Sequence, residues 1–298
     1  MTSMKLPSLA LLLSCYLGAD LSAQAQTSPS DASSSLTPRE EACYSTETEP
    51  LKPLGRKFVK NVLLDQKDIW TSPFHMKRSD AKWWLLFGTA TGALIATDHW
   101  TSRQLPNTND QARFSARVSN VGAAYTVIPV TAAFYLTGVL TDNAKARETG
   151  LLGAEALVDG LIVFEVLKLA TQRQRPLTDG GHGQFFHGGD SFPSGHTMAS
   201  FALASVIAHE YRNKKVVPVI AYGLATLVGA ARFSARQHFA SDVVAAGAMG
   251  WFVGTYVFET NQDASHRRSL LKAITHPQVM PEFQPSARSY GVSLAWHP

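Results

Sequence analysis

The hydrophobic residues of this chain fall in long runs with helical spacing, and glycine and proline lie mainly between the runs. A strand would alternate apolar and polar residues, and no long stretch does so. Only residues 289–296 allow a second interpretation, either a short strand or a tail. The pattern therefore predicts an all-α fold, a six-helix bundle with a flexible N-terminal region. The predicted helices are residues 83–97, 118–141, 151–170, 196–211, 216–231 and 243–258.

The N-terminal residues differ in composition from the rest of the chain. Residues 1–25 are typical of a secretory signal peptide, because Lys5 precedes an apolar stretch and Ala23-Gln24-Ala25 offers a cleavage site between small residues. An uncleaved anchor helix is the alternative. Residues 26–52 are predicted to be a flexible linker, since Ser and Thr make up 10 of the 24 residues from 27 to 50.

Residues 53–80 carry apolar side chains near helical spacing, with lysine and arginine between them. We predict an amphipathic helical segment that packs on the domain by its apolar face. A helix lying on an anionic membrane surface is the alternative. The bundle domain is assigned to residues 81–262, and residues 263–298 to a C-terminal tail.

Composition leaves open whether the bundle crosses a membrane. Charged residues make up 17% of the chain, against roughly 25% in ordinary soluble domains, which indicates extensive burial or membrane contact. A span needs roughly 20 apolar residues, and only the second predicted helix, with 24 uncharged residues, is clearly long enough. If the leader is removed and all six helices cross, the loop at 175–196 lies inside, which does not suit an exported enzyme. We therefore expect an exported, periplasmic and membrane-associated protein, with an integral membrane protein as the alternative.

The stretch Ser191-Phe192-Pro193-Ser194-Gly195-His196-Thr197 lies between a glycine-rich loop and an apolar run, so it marks the start of a helix. Ser194 is predicted to cap this helix, with its hydroxyl accepting a hydrogen bond from an amide one turn on. The first amides of a helix carry partial positive charge and form an anion site. His196 would lie in the first turn, beside the bound anion.

Two further groups of polar residues suit an anion. Lys168 and Arg175 are seven residues apart, which places them on one face of a helix that ends before Pro176. His238 and Asp242 also share a helical face, at a spacing of four residues. Asp242 could accept the imidazole N–H and leave the other nitrogen with a free electron pair, as a nucleophile or base needs. A salt bridge at a helix start is the structural alternative for this pair.

Together these groups resemble the signature of the type 2 phosphatidic acid phosphatase and vanadium haloperoxidase superfamily. That signature is Lys, six residues, Arg-Pro; then Pro-Ser-Gly-His; then Ser-Arg, five residues, His, three residues, Asp. The matching residues are Lys168, Arg175, Pro176, Pro193, Ser194, Gly195, His196, Arg232, His238 and Asp242. Ala231 stands where the family usually has Ser, and we expect this change only to tune the site, because every charged position is kept. The resemblance covers about residues 80–260 and implies a helical bundle of this family's type, with the three motifs at one end.

The resemblance implies a phosphate site. Lys168, Arg175 and Arg232 would bind phosphate oxygens through charge-assisted hydrogen bonds. The amides of Ser194 and Gly195, with the Ser194 hydroxyl, would complete the site.

The resemblance also implies the catalytic roles. His238 would attack phosphorus and form a phosphohistidine, and Asp242 would hold its tautomer. His196 would protonate the leaving alkoxide and then deprotonate the attacking water. A bound dianion would raise the pKa of His196 and keep it protonated.

The chain is accordingly expected to be a phosphoric monoester hydrolase acting on lipid phosphates such as phosphatidic acid or isoprenoid phosphates. Alternatives are a broad-specificity soluble periplasmic acid phosphatase, a vanadate-dependent haloperoxidase and a non-catalytic lipid-binding protein. No cofactor is expected, because fixed cations can stabilise phosphoryl transfer. His182 and His187 of the glycine-rich loop lack the neighbours of a metal site, and we expect this loop to shape the pocket mouth. The net charge of +4 suits an anionic substrate, and no basic tract indicates nucleic-acid binding.

Overall fold

The helices of the chain follow the hydrophobic runs but outnumber them. The computed structural model describes residues 36–44, 49–75, 77–105, 108–178, 180–275, 278–284 and 289–295. The predicted signal peptide and the first part of the predicted linker lie outside these residues. The helices are α1 (Pro38–Ala42), α2 (Leu51–Thr71), α3 (Arg78–Gln104), α4 (Asn109–Ser119), α5 (Ala124–Leu140), α6 (Ala144–Thr171), α7 (Gly195–Glu210), α8 (Val216–Ser234) and α9 (Ala240–Thr275).

Helix α7 lies at the centre and contacts α6, α8 and α9. The main core cluster is contributed chiefly by α6, α7 and α9 and contains Leu152, Ala156, Ala202, Val206, Val253 and Val257. Helix α9 approaches α7 closely at Gly250 and Gly254, where a Cβ would overlap the backbone carbonyls of Met198 and Ala202. This contact holds α7 and α9 at a fixed separation.

The uncharged run at residues 118–141, predicted as one helix, forms parts of two. Helix α4 ends at Ser119, a single 3-10 turn follows at Asn120–Gly122, and α5 begins at Ala124. The break coincides with a close contact, because a Cβ at Gly122 would overlap the side chains of Ser200 and Val228. The predicted number of six helices is therefore too low, and α1 and α2 add to the difference.

Helix α2 covers most of the predicted amphipathic segment and contacts α1 and α6. Its buried side chains include the polar Asn61 and Asp65 beside the apolar Val62, and Ile69 is partly buried against the core. Leu63, by contrast, is 66% exposed. The helix thus packs on the bundle, but through a mixed face rather than the apolar face we expected.

Two strands occur among the described residues, both near the C-terminus. β1 (Gln278–Gln284) and β2 (Ser289–Ala295) pair antiparallel, with Gln278 opposite Ala295 and Gln284 opposite Ser289. The strand interpretation of residues 289–296 is therefore the right one. The all-α class describes the bundle but not this hairpin, and α9 runs on to Thr275, into the region predicted as a tail.

Several helices present large apolar side chains outward. Leu85 on α3, Leu140 on α5, Leu169 on α6 and Val219 on α8 are all at least 67% exposed. Two segments of the described chain, Asn109–Leu140 and Val216–Ser234, are long and apolar enough to cross a membrane, and only 22% of each apolar window is buried. The core helix of a soluble protein would bury such residues, so this outer surface is suited to contact with lipid.

Candidate phosphate site

The start of α7 is placed as the sequence predicts, but its cap differs. Ser194 directly precedes the helix with extended backbone, and its hydroxyl makes no capping bond. This hydroxyl accepts a hydrogen bond from the Thr197 hydroxyl at 2.9 Å, and the Ser194 amide donates to the Asp242 carbonyl at 3.2 Å. The Ser194 amide is therefore occupied, contrary to its expected role in the phosphate site. The amides that have no partner within the helix are those of Gly195, His196 and Thr197.

His238 is buried, and both of its ring nitrogens have partners. Nδ1 lies 2.7 Å from the Ser191 carbonyl oxygen, and Nε2 lies 3.3 Å from Nη2 of Arg232. A carbonyl only accepts and a guanidinium only donates, so the proton is on Nδ1 and Nε2 keeps its electron pair. Burial, and then the positive charge of Arg232, lower the pKa of His238 well below its ordinary value. The ring is therefore a neutral imidazole with an electron pair on Nε2.

Asp242 does not make the direct hydrogen bond to His238 that the spacing predicts. Its Oδ2 lies 3.9 Å from Nδ1, beyond hydrogen-bond distance. The same oxygen accepts from the Ser191 hydroxyl at 2.6 Å and from the Phe239 amide at 2.8 Å. Ser191 therefore lies between the two residues. The Ser191 hydroxyl donates to Asp242, and the Ser191 carbonyl accepts the imidazole proton of His238. Burial raises the pKa of Asp242 to about 6, and the positive charge of Arg173 partly opposes this shift.

His196 lies in the first turn of α7 and is partly buried. Burial, and then the charges of Arg232 and Arg175, lower the pKa of His196 to about 4. The same two arginines lower the pKa of His238. Arg175, His196, Arg232 and His238 therefore form one group. They lie at or next to the ends of α6 and α8 and the starts of α7 and α9.

The two arginines of this group, Arg175 and Arg232, differ in how many hydrogen-bond partners their guanidinium groups have. Arg175 donates to both carboxylate oxygens of Asp190, at 2.7 and 2.8 Å, and to Gln237 at 2.7 Å. The Asp190 side chain is 56% exposed, so this pair lies on the solvent side. Nε of Arg232 is buried and has no hydrogen-bond partner among the described residues. A buried, unsatisfied guanidinium nitrogen beside an imidazole electron pair is suited to bind an anion.

Lys168 is close to the start of α7 but already paired. Its ammonium lies 2.5 Å from Glu165 and 4.9 Å from the centroid of the Phe164 ring. That ring also packs on the first residue of α7, since a Cβ at Gly195 would lie 3.0 Å from it. To reach an anion at the helix start, the ammonium would have to leave Glu165. Lys168 is thus the predicted residue whose placement agrees least with its expected role.

Beneath the histidines lies a buried ion network that we call the site anchor, Asp98, Arg173 and Asp242. Nη1 of Arg173 lies 2.6 Å from Oδ1 of Asp242, and Nη2 lies 2.8 Å from Oδ2 of Asp98. All three side chains are at most 1% exposed. The anchor ties the loop after α6 to α3 and to the start of α9.

The motif residues fall within a region that matches a known family. The family model of the PAP2 superfamily matches residues 149–265. This part of the chain belongs to the PAP2 superfamily. A segment of 66 residues is also 38% identical to a lipid A 1-phosphatase of Porphyromonas gingivalis. That segment is 22% of this chain and only 15% of the relative's length, so the sequence similarity covers a small part of the relative.

Two solved structures align with parts of the bundle. A transmembrane PAP2 type phosphatidylglycerolphosphate phosphatase from Bacillus subtilis aligns with a TM-score of 0.50 and 22% identity, over 63% of this chain and 98% of that one. LpxE from Aquifex aeolicus aligns with a TM-score of 0.38 and 21% identity, over 51% of this chain and 87% of that one. At such identities the similarity concerns the fold alone, and it rests on the Bacillus subtilis structure.

Three residues around the PAP2 motifs were assigned no role from the sequence: Ser191, Arg173 and Asp98. Ser191 acts mainly through its carbonyl, a group that every residue has. Arg173 lies two positions before Arg175, and the partner that marks it as buried, Asp98, is 75 residues away. The available signal was weak: Asp98 is the first charged residue after an uncharged run.

Three acidic residues, which we call the acid cluster, form the group with metal-ligand spacing found among the described residues. Asp65, Glu155 and Asp159 are buried, and their ligand atoms lie within 4.8 Å of one another. Carboxylates of this kind suit a hard divalent cation, although Oδ1 of Asp65 already pairs with Arg39 at 2.6 Å. The cluster belongs to α2 and α6 and is separate from the PAP2 motifs.

The two loop histidines considered earlier do not belong to this cluster. The ring of His182 stacks on that of His99 with centroids 4.3 Å apart. Nδ1 of His187 lies 2.6 Å from the Phe185 carbonyl oxygen. Both contacts are local to the glycine-rich loop and its neighbour α3.

Proposed function

We propose that the chain hydrolyses the phosphate monoester of a lipid, with His238 as the nucleophile. The observation that carries the proposal is the state of this residue: its Nδ1 proton is held by the Ser191 carbonyl, and its Nε2 electron pair faces Arg232. Attack on phosphorus needs both features, because the arginine attracts the phosphate and the imidazole supplies the electrons. Membership of the PAP2 superfamily supports the same chemistry.

In the first step, Nε2 of His238 attacks phosphorus and forms a P–N bond, and the P–O bond to the lipid breaks. His196 gives its proton to the departing alkoxide. Arg232 and Arg175 turn from Nε2 and Asp190 to the phosphoryl oxygens, where negative charge is spread in the transition state. The amides of Gly195, His196 and Thr197, which have no partner within α7, bind the remaining oxygen.

In the second step, His196 takes a proton from water, and the water oxygen attacks phosphorus. The P–N bond breaks, inorganic phosphate leaves, and His238 regains its electron pair. Ser191 and Asp242 keep the ring in one tautomer through both steps, so the same nitrogen serves as nucleophile and leaving group.

The role of His196 links substrate binding to proton uptake. Burial and the two arginines lower the pKa of His196 to about 4, so the ring is neutral at neutral pH. A phosphate dianion between the arginines offsets their charge and raises this pKa. The substrate thereby creates the acid that its own cleavage requires.

A lipid is proposed as substrate because exposed apolar side chains lie in the same segments as the cations. Leu169 at the end of α6 is 67% exposed, Leu177 two residues after Arg175 is 51% exposed, and Phe186 in the glycine-rich loop is 76% exposed. Two of the similar proteins, a lipid A 1-phosphatase and a phosphatidylglycerolphosphate phosphatase, are also named for lipid substrates. The exposed outer faces of α3, α5 and α8 would contact the membrane that holds the substrate. Export to the periplasm remains a prediction from residues 1–25, which lie outside the described residues.

The test is a phosphate-release assay on full-length protein in detergent, with chelator present. Phosphatidic acid, an isoprenoid phosphate and a soluble aryl phosphate are compared. His238→Ala should lower kcat by at least about 1,000-fold, whereas His75→Ala, on an exposed turn, should keep the wild-type rate. Full activity in His238→Ala would contradict the nucleophile assignment. Equal kcat/KM for lipid and soluble esters would favour the broad-specificity alternative, and bromide oxidation with vanadate and peroxide would favour a haloperoxidase.

A further inference from the structure

Arg173 reaches the interior of the protein through an unusual turn. Helix α6 ends at Thr171, and Gln172 takes the left-handed conformation with φ of 45°. The chain therefore turns, and the next side chain enters the bundle between two aromatic rings. The guanidinium lies 4.2 Å from the ring centroid of Phe239 and 4.8 Å from that of Phe185. A side chain that only carried charge at a helix end would remain in solvent.

The guanidinium uses four of its five N–H groups. Nη1 donates to Asp242 and to the Ser241 hydroxyl, both at 2.6 Å, while Nη2 donates to Asp98 at 2.8 Å and Nε to the Gly183 carbonyl at 3.2 Å. Removing such a cation from water costs several kcal/mol, which only close partners can offset. Two carboxylates and two neutral acceptors supply that compensation here.

The same residue holds Ser191 through both its main chain and its side chain. The Arg173 carbonyl accepts the Ser191 amide at 2.8 Å. Its guanidinium fixes Oδ1 of Asp242, and Oδ2 of that carboxylate accepts the Ser191 hydroxyl at 2.6 Å. These contacts close a ring of three residues. The Ser191 carbonyl takes no part in this ring, and its oxygen lies 2.7 Å from Nδ1 of His238.

From this geometry we propose that Arg173 is a positioning residue for His238, acting through Asp242 and Ser191, and that Asp98 on α3 holds it in place. The inference rests on the proposed function only where it treats His238 as the nucleophile. Arg173 itself does not touch the phosphate, because its N–H groups face the interior network. Its effect on the reaction is to keep the Nδ1 proton in a fixed direction and the Nε2 electron pair towards the substrate.

Asp98 gives the network a support outside the PAP2 motifs. Its Oδ1 accepts the Ser241 amide at 3.2 Å, and its Oδ2 accepts Arg173 and the Ser241 hydroxyl. Asp98 therefore binds both the arginine and the first turn of α9, which carries Asp242. If its charge is removed, Arg173 keeps a single carboxylate and can turn with it, so the Ser191 carbonyl loses its fixed position.

The test uses full-length protein in detergent and two variants that keep the shape of the network. Arg173→Lys retains the charge but cannot span both carboxylates with a planar fork, and Asp98→Asn removes one carboxylate charge. Arg113→Lys, on the exposed surface of α4, is the matched control. We expect kcat on the best lipid phosphate to fall about 10- to 100-fold in Arg173→Lys, as for supporting residues of other sites, and to fall in the same direction but less in Asp98→Asn. KM and the Kd of vanadate should change by less than about threefold, because the phosphate ligands are intact.

A second measurement separates positioning from general stability. In protein labelled with ¹⁵N-histidine, the signals of His238, assigned with His238→Ala, should show a single Nδ1–H tautomer in the wild type. In Arg173→Lys and Asp98→Asn, the His238 signals should show a mixture of the two tautomers. In Arg113→Lys, they should match the wild type. A fall in kcat with the tautomer unchanged would overturn the proposal, as would a loss of vanadate affinity in proportion to kcat. If neither variant folds, a wild-type spectrum with the proton on Nε2 would still refute it.

These readouts remain distinct from those of the proposed function. If wild-type protein releases no phosphate from any ester, the proposed function fails, whereas the tautomer spectra still report whether Arg173 orients His238. If His238→Ala is inactive but Arg173→Lys has full kcat and an unchanged spectrum, the function stands and the positioning role is wrong.

Discussion

Two buried groups of charges in this protein differ in how far arginine balances their carboxylates. The site anchor places one guanidinium between two carboxylates beneath the histidines. The acid cluster places three carboxylates between α2 and α6, with the guanidinium of Arg39 in contact with one of them. Formally the anchor carries one excess negative charge and the acid cluster, with Arg39, carries two.

The two groups also differ in how their oxygens are satisfied. Both oxygens of Asp98 and both oxygens of Asp242 accept hydrogen bonds. In the acid cluster, Oδ2 of Asp65 and Oδ2 of Asp159 have no partner within the described residues. Burial, and then the charge of Asp65, raise the pKa of Asp159 to about 8 and that of Glu155 well above its ordinary value. The comparison indicates that carboxylates whose oxygens are all hydrogen-bonded hold fixed positions. The larger excess of carboxylates in the acid cluster is accommodated by binding protons.

The largest effect should come from removing the cation of each group. Arg173→Leu leaves two buried carboxylates without their partner, and we expect the free energy of unfolding at neutral pH to fall by about 3–5 kcal/mol. Arg39→Leu should cost less, about 1–2 kcal/mol, because protons can neutralise the acid cluster in its place. Urea unfolding followed by circular dichroism in detergent measures both. Equal losses of unfolding free energy in the two variants would show that protons do not replace Arg39 in the acid cluster.

The second prediction concerns the pH dependence of stability. The pKa of Asp159 in the folded protein is about 8, against about 4 in an unfolded chain. Between these values the folded state binds more protons, so stability from this group is greatest at the acid end and is lost as pH rises from about 4 to about 8. Asp159→Asn should remove up to about 1.4 kcal/mol per pH unit of this decline.

The measurement is the free energy of unfolding at several pH values between about 5 and 8, a range set by the two pKa values. Asp110→Asn, at an exposed position on α4, is the control and should leave the slope unchanged. If Asp159→Asn has the same slope as the wild type, Asp159 is ionised in the folded protein and the acid cluster is not a proton-binding group.

A third prediction applies the comparison to the phosphate site. Because the anchor is internally paired, a proton taken up when an oxyanion binds should go to His196. Sulfate, which does not titrate in this range, should bind more tightly as pH falls, by up to about tenfold per pH unit above the pKa of His196 in the free protein. Calorimetry in two buffers of different ionisation enthalpy counts the protons. Uptake that persists in His196→Gln would assign the proton to another group.

The smallest effect is expected at the exposed edge of the site. The pair of Arg175 and Asp190 lies partly in solvent, so Asp190→Asn should change stability by less than about 0.5 kcal/mol. It should, however, free Arg175 for the substrate and lower KM for a phosphate ester by about twofold. A rise in KM would mean that Asp190 orients Arg175 for the substrate instead of competing with it.

Much of the bundle could be predicted from the apolar runs, and the errors have physical causes. The run that predicts α3 stops at residue 97, where the first charged residue follows, but the helix continues to Gln104 because Asp98 finds a buried partner. The run at 118–141 conceals a break that depends on contacts of Gly122 with α7 and α8. Such tertiary contacts cannot be predicted from the pattern of charged and apolar residues along the chain.

The candidate site shows the same limit. Spacing and motif placed His196, His238, Arg175 and Arg232 in one group, and the pKa shifts of the two histidines reflect that proximity. The residue that receives the imidazole proton could not be predicted, because the acceptor is a main-chain carbonyl. The prediction that His238 and Asp242 share a helical face was wrong, because His238 precedes α9, which begins at Ala240. The two side chains still lie near each other, with Ser191 between them.

The two glycines at which α9 meets α7 have a consequence for how substrate enters. With carbonyls of one helix against bare Cα atoms of the other, these helices cannot slide or separate without losing their packing, so His196 and Asp242 belong to a single rigid unit. Any opening that admits a lipid headgroup must therefore come from the surrounding segments, and variants that loosen those segments should alter substrate entry before they alter the chemistry.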